Sequence, residues 1–438
     1  MITKPVPEGN HNRSYMLKDL FRKSDFYKNI AILLMGTGIA QAIPILLQPF
    51  LRRVYTPEDF GAFAVYFSMI GIMTVIANFR YDLAIVLPKS DEDGANVLFL
   101  ALFLNFFFNI LLFLLILFFR NDIAGLFKFP DKFTWFLFLL PLSTFLFCSF
   151  QSMNFWLIRK KAFRSLSVNK VSRRGAEGVV QVVFGLIGNS SGLFWADAAG
   201  NLSNNISGFR QLRKTGFRFQ FFSKEKVLKL MRRYIHYPKF NLLPSLLGAL
   251  AIQFPVFIIN KLFTKTELGF FDLTQQAILA PFALITVAVS QVLLQVVTDK
   301  KNKGEHIFSD FMRISLLLFS IGLISMVIIE LWGPQLFSFV FGKKWLMAGV
   351  YSRILIFVYM FFLVVSPMSS ILLGLEKIRL MGLWNLFHFL AIAGLYLLKN
   401  ITFIDFLKIF TGIEIIAFAS FYFLVAKTVL RYEKKLRV

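Results

Sequence analysis

Apolar runs of about twenty residues recur along this chain, each long enough to cross a hydrocarbon core of ~30 Å at 1.5 Å per residue. The plainest, "VLFLALFLNFFFNILLFLLILFF" (97–119), has only Asn105 and Asn109 as polar residues and is expected to face lipid. Backbone N–H and C=O groups in lipid must be satisfied within the protein, so such runs are read as spanning helices. Twelve spans follow: 29–51, 60–79, 95–119, 133–158, 166–188, 191–209, 240–263, 268–298, 311–332, 346–366, 380–398 and 403–426. The fifth and sixth are the most polar and are joined by a short turn, "GNSSG". The fold expected is an all-α polytopic membrane protein. Composition agrees: 57% of the 438 residues are hydrophobic and only 16% charged, against roughly a quarter charged in soluble domains.

One short turn is written twice. "RRVYTPEDFGAFAVY" (52–66) reappears 208 positions later as "KLFTKTELGFFDLT" (261–274), with Thr56 on Thr264, Gly61 on Gly269 and Phe63 on Phe271. Thr56 suits an N-cap, Pro57 the first helical position, and Glu58 and Asp59 the positive end of the helix dipole. Thr264 to Glu267 is a capping box. Each copy starts a helix where an apolar run has just ended. The basic stretch 210–239 divides the spans six and six, so both copies enter the membrane from the same side. The twelve helices therefore form two six-helix lobes related as parallel repeats. The expected organisation is a cytoplasmic extension with an interfacial helix at 1–28, in which Leu17, Leu20 and Phe21 share a face. A first lobe at 29–209, a basic cytoplasmic linker at 210–239, a second lobe at 240–426 and a cytoplasmic tail at 427–438 follow.

The formal net charge is +24, but its placement argues against a nucleic-acid partner. Most Lys and Arg fall in the N-terminal segment, the even-numbered loops and the C-terminal tail, which is the positive-inside pattern with both termini cytoplasmic. No cleavable signal peptide is read, because the first span is too long and no A-x-A site follows it. Cys148 lies mid-span, the four histidines show no metal spacing, and no nucleotide-binding or hydrolase motif occurs. No cofactor, no metal site and no enzymatic activity are expected. His388 in the eleventh span is read as a hydrogen-bonded packing residue.

"LLMGTGIAQAIPILLQPFLRRVYTPEDFGAFAVYFSMIGI", followed by "RYDLAIVLPKSDEDGANVL" (80–98), closely resembles the opening of Wzx-type polysaccharide flippases. These belong to the multidrug/oligosaccharidyl-lipid/polysaccharide exporter superfamily. "NKLFTKTELGFFDLTQQAILAPFALI" (260–285) and "SPMSSILLGLEKIRL" (366–380) continue the likeness. The resemblance implies a two-lobe, alternating-access transporter of undecaprenyl-pyrophosphate-linked oligosaccharides in the bacterial inner membrane. Its partners would be the lipid-linked substrate, membrane lipids and polysaccharide polymerase machinery. A multidrug antiporter of the same superfamily, a lipid II flippase, a major-facilitator transporter and a membrane polysaccharide polymerase or ligase are the rivals. The antiporter would need few basic cavity residues, the lipid II branch usually carries two extra spans, and loop 80–94 lacks the basic motif of the major-facilitator class. Polymerases and ligases usually carry a large external loop, whereas the longest here, 120–132, has thirteen residues.

A pyrophosphate crossing a membrane needs cations in a cleft, and arginine at mid-helix costs roughly 2.5–3.5 kcal/mol on insertion scales. The candidates are Arg52 and Arg53 at one end of span one, Arg80 after span two, Lys170, Arg173 and Arg174 in span five, Lys261 in span seven and Arg353 in span ten. Arg52, Arg53 and Lys170 are expected to reach toward headgroups. Arg173, Arg174 and Arg353 are expected to face the cleft, with Arg173 and Glu177 four apart as a possible ion pair. Gln253 is a further polar candidate in span seven. Glu177, Asp197, Asp272 and Glu414 are coupling candidates, with packing against neighbouring basic groups as the other reading. Spans one, two, seven and eight carry the prolines, glycines and amides that suit a cleft lining. Pro44 and Pro255 sit about ten residues before the repeated turn, and both helices are expected to bend there. Span eight, at 31 residues or about 46 Å, is expected to bend near Pro281 or extend beyond the membrane.

Overall fold

The structure, a computed structural model, describes residues 35–436, the side chains of Ile378 and Arg379 excepted. The N-terminal extension, its interfacial helix and the start of span one lie outside the described residues. Among the described residues there are helices and no strands. The first six helices are α1 (35–54), α2 (Pro57–Ile76), α3 (Asp91–Leu126), α4 (Leu139–Arg159), α5 (Phe163–Leu186) and α6 (Gly192–Lys214). A short amphipathic helix, α7 (Lys224–Arg233), lies in the basic linker; it buries Leu230 and packs Val227 and Met231 near Tyr81 and Leu100.

The second half runs through α8 (His236–Leu262), α9 (Lys265–Thr274), α10 (Ala280–Lys303), α11 (Phe308–Phe341), α12 (Leu346–Val365), α13 (Ser369–Gly374), α14 (Ile378–Gly394) and α15 (Phe403–Leu436). A π-helical turn, Gln275–Leu279, joins α9 to α10, so the long eighth span changes its hydrogen-bonding register immediately before Pro281. α8 remains helical through Pro244 and Pro255, and α1 remains helical through Pro44. The two lobes meet mainly along α2, which lies against α9 and α8.

Nine helical segments among the described residues are long and apolar enough to cross a membrane, where the sequence suggested twelve spans. The nine correspond to spans two to four and seven to twelve. α5 and α6 fall outside that set because they are too polar, and much of that polarity is turned into the protein. Asn169, Asp197, Asn201 and Asn204 are buried, while Val179, Val183, Leu186, Leu202 and Ile206 are exposed. Such a helix pair is held by protein on its polar side and offers an apolar side to lipid. α3 follows the same rule. The amide of Asn105 donates to the Phe145 carbonyl at 2.9 Å and to Ser149 Oγ at 3.0 Å, and Phe103, Leu111 and Phe118 point outward.

Candidate functional site

The repeated turn builds the contact between the lobes. Thr56 and Asp59 form a complete capping box, with Asp59 N–H donating to Thr56 Oγ1 at 3.2 Å and Thr56 N–H to Asp59 Oδ2 at 3.1 Å. Thr264 and Glu267 repeat it at 2.9 and 3.2 Å. Sequence reasoning identified the second box but missed that Asp59 closes the first. The boxes start α2 and α9 at the same end of the molecule, here called the turn end; the linker carrying α7 lies at the other.

At the turn end α2 and α9 cross with glycine against backbone. A Cβ on Gly61 would sit 2.0 Å from the Lys265 carbonyl oxygen, and one on Gly269 would sit 1.9 Å from the Pro57 carbonyl oxygen. Lys265 is the repeat equivalent of Pro57, so each glycine covers the matching carbonyl of the other copy. The repeat has therefore produced a local two-fold contact that only hydrogen fits at its centre.

Arg52 fastens the same end. Its side chain is 0% exposed, and Nη2 donates to Asp272 Oδ2 of the other lobe at 2.6 Å. Nε donates to Gln48 Oε1 at 2.8 Å, Gln48 Nε2 donates to Gln276 Oε1 at 2.7 Å, and Gln276 Nε2 donates to Asp272 Oδ1 at 2.9 Å. The guanidinium lies 3.4 Å from the Phe60 ring centroid, with Trp345 on a further side. This corrects the expectation that Arg52 reaches headgroups: its fork pairs across the lobes in a buried site. Lys344 Nζ donates to the Arg53 and Tyr55 carbonyls at 2.9 and 2.7 Å, Arg53 Nη2 to the Phe339 carbonyl at 2.9 Å, and Lys128 Nζ to the Lys261 carbonyl at 2.7 Å. Inter-lobe hydrogen bonds thus gather at the turn end, with Ser68 Oγ to Gln253 Oε1, at 3.0 Å, farther along α2. Gln253 serves that seam.

Three of the sequence candidates do meet in a cavity. A space of about 330 Å³ between α1, α4, α5 and α6 is lined by Lys170, Arg173 and Arg174, by the amides Gln41, Gln151, Asn154 and Asn204, and by Phe147 and Phe150. Thr37 and Ala40 complete the wall. Lys170 Nζ donates to Thr37 Oγ1 at 2.9 Å, which holds it inward rather than toward headgroups. The expected Arg173–Glu177 pair is replaced. Arg174 Nη1 donates to Glu177 Oε2 at 2.8 Å, and Arg173 faces Asp197 at 3.8 Å with its guanidinium 5.1 Å from the Phe147 ring centroid. Arg174 and Glu177 are an i,i+3 pair and Arg173 and Glu177 an i,i+4 pair, so either spacing can satisfy the charge; the outcome rests on which arginine packs against α6.

The remaining candidates are dispersed. Arg353 lines a different pocket, in the second lobe, so the structure does not bring it to Arg173 and Arg174. Lys261, at the turn end, bonds Tyr396 Oη and lies over its ring, at 3.8 Å from the centroid. Arg80 sits in the turn after α2, where Phe79 and Arg80 take φ of 50° and 62°. His388 Nε2 and Glu414 Oε2 stand in hydrogen-bond contact at 3.0 Å, and His388 stacks on Trp384.

Residues 50–349 match the family described as "Polysaccharide biosynthesis protein". The chain belongs to this family. Comparison with the curated proteins gives no match. Among solved structures, the chain is similar to a multidrug resistance MATE family transporter of the MOP superfamily in its inward-facing conformation. The TM-score is 0.71 and the identity 15%, over 92% of this chain and 99% of that one. It is also similar to the lipid II flippase MurJ in an inward closed conformation, with a TM-score of 0.72 and 13% identity over 93% and 90%. An outward-facing multidrug resistance MATE family transporter overlays less well, with a TM-score of 0.60 and 14% identity over 93% and 96%. The chain has the two-lobe fold of that superfamily.

Proposed function

We propose that this member of the family is a flippase. It would carry undecaprenyl-pyrophosphate-linked oligosaccharide from the cytoplasmic to the periplasmic leaflet of the bacterial inner membrane, for O-antigen or other surface polysaccharide. The observation that carries this reading is the first-lobe cavity, lined by three cations, with Glu177 and Asp197 paired to the two arginines from outside the lining. Arginine grips two oxygens of a phosphate at once, while amides and phenyl faces suit the hydroxyls and C–H edges of a sugar. Three cations against those two carboxylates still leave the wall net positive, which disfavours a cationic drug and with it the multidrug antiporter.

Lys170 to Arg174 lie seven to eleven residues into α5, about 10–16 Å from its linker end. With the lobes fastened at the turn end, a cavity at that depth suits loading from the linker side. The better overlay on the inward-facing MATE transporter than on the outward-facing one supports the same direction. Residues 29–209 and 240–426 would be the two moving lobes, and the Pro44, Pro255 and Pro281 regions the points about which they rock. Delivered repeat units would pass to the polymerase machinery.

The test is export of surface glycan in cells carrying Lys170→Gln, Arg173→Gln or Arg174→Gln, with membrane insertion checked separately. Each charge-assisted hydrogen bond to phosphate contributes about 1.5–3 kcal/mol, so each variant is expected to lose roughly ten- to a hundredfold in transport. Arg174→Lys, which keeps the charge without the fork, should retain part of it. Normal export in all three Gln variants would place the anion path elsewhere. Topology offers a separate check. Reporters after Arg210 or at the C-terminus should be cytoplasmic, and those at Asp131 or Asn189 periplasmic. A periplasmic C-terminus would contradict the six-plus-six arrangement.

A further inference from the structure

We propose that the second-lobe pocket around Arg353 is a binding site for the zwitterionic headgroup of an ethanolamine phospholipid. The pocket, about 390 Å³, lies between α11, α12 and α15 and is lined by Glu330, Arg353, Lys408 and Thr411 with Ile354 and Phe357. It shares no residue with the first-lobe cavity.

Its charges stand at one level. Gly333 packs on Gly349, and Gly322 on Met360, so the antiparallel register of α11 and α12 sets Arg353 opposite Ile329 and Glu330. Thr411 Oγ1 donates to the Ile354 carbonyl at 3.4 Å, and Lys408 lies one turn of α15 closer to the turn end. Arg353 is seven residues into α12, about 10 Å from its turn-end start, within the leaflet on that side. Leu331, Phe357, Ile404 and Ile409 are exposed around the pocket, so its mouth opens onto acyl chains.

The charges are present but not spent on one another. Among the described residues Glu330 forms no ion pair, Arg353 makes one hydrogen bond, 3.3 Å to the Leu331 carbonyl, and its buried Nε has no partner. Lys408 reaches only Asp405, at 3.9 Å, and is 64% exposed. Ionisable groups at membrane depth are costly unless matched. A phosphate between Arg353 and Lys408 with an ammonium on Glu330 matches all three. A glycerol headgroup would satisfy the cations but offer Glu330 only neutral hydroxyls in place of an ammonium, leaving its charge unmatched. A choline headgroup has no N–H to donate to the carboxylate.

The test uses the purified full chain, equilibrated with equal amounts of phosphatidylethanolamine, phosphatidylglycerol and phosphatidylcholine and then delipidated, with retained lipids counted by native mass spectrometry. The wild type should retain phosphatidylethanolamine over the other two by roughly tenfold, the scale of one charge-assisted hydrogen bond. Glu330→Gln should abolish that preference, Glu330→Asp should keep it, and Arg353→Gln should lose all three lipids. Lys408→Gln, at an exposed position, should weaken all three together and serves if Arg353→Gln does not fold. Equal retention of the three lipids by the wild type, or an unchanged preference in Glu330→Gln, would overturn the proposal, and Glu330 would then be a packing carboxylate.

Discussion

Gly269→Ala and Gly61→Ala are each expected to prevent the lobes from closing at the turn end. The added methyl would stand 1.9 Å from the Pro57 carbonyl oxygen in the first case and 2.0 Å from that of Lys265 in the second. Both obstacles are backbone, so no side chain can rotate away. Overpacking of this kind costs about 1–3 kcal/mol, which shifts a two-state equilibrium roughly 5- to 150-fold. Alanine is otherwise the better helix former by ~1 kcal/mol, so α2 and α9 themselves should not weaken. Spin labels at Asp131 and Lys399, exposed at the turn end of opposite lobes, should report longer separations, and transport should fall with them. Cys148 is the single cysteine and is buried, so a Cys148→Ala background simplifies labelling. Gly175→Ala is the control, because nothing lies within 4 Å of the added atom. An unchanged distance distribution in both turn-end variants would remove the two-fold glycine contact as a closing device.

Breaking the Arg52–Asp272 pair should have an effect of the same size or larger. Asp272→Asn leaves a fully buried guanidinium facing an amide, and removing one partner of a buried pair costs about 3–5 kcal/mol. The cost falls on the closed turn end, since separation of the lobes would expose both groups to water. The variant is therefore expected to dwell in states open at the turn end and to export poorly. Arg52→Lys should not restore closure, because lysine lacks the fork that bonds Asp272 and Gln48 together and the plane that stacks on Phe60. Arg52→Met combined with Asp272→Leu should recover closure in part, as apolar replacement of a whole buried pair is often neutral or stabilising. Wild-type distances and export in Asp272→Asn would mean that the pair is a bystander.

The helical, two-lobed fold was legible because spanning runs, capping residues and a 208-residue repeat are local signals. Nothing local said that Gly61 and Gly269 face each other's carbonyls, although their coincidence in the repeat was visible. Arg52 was misread because its position at a span end is what a headgroup-reaching side chain also shows; only its neighbour 220 residues away distinguishes the two. Arg173 and Arg174 pointed to the cavity through their depth in span five, yet the partner of Glu177 depended on helix rotation, which i+3 and i+4 spacing leaves undecided. His388 was read as a hydrogen-bonded packing residue, and its partner proved to be Glu414, a coupling candidate from another helix. Arg353 looked equivalent to the span-five arginines in sequence, but α11 and α15 enclose it in a separate pocket. Spans five and six, the most polar of the twelve, coincide with α5 and α6, whose buried polar residues are covered by protein rather than lipid.

The most direct measurement places the purified protein in liposomes loaded with undecaprenyl-pyrophosphate-linked oligosaccharide in one leaflet. Appearance of the glycan in the other leaflet is then followed with an impermeant sugar-modifying enzyme. The wild type should move the glycan across, while Arg174→Gln and Gly269→Ala should each reduce the rate at least tenfold, by lost phosphate binding and lost closure respectively. Failure of the active, reconstituted wild type to move the glycan, together with exchange of organic cations by the same vesicles, would contradict the flippase reading.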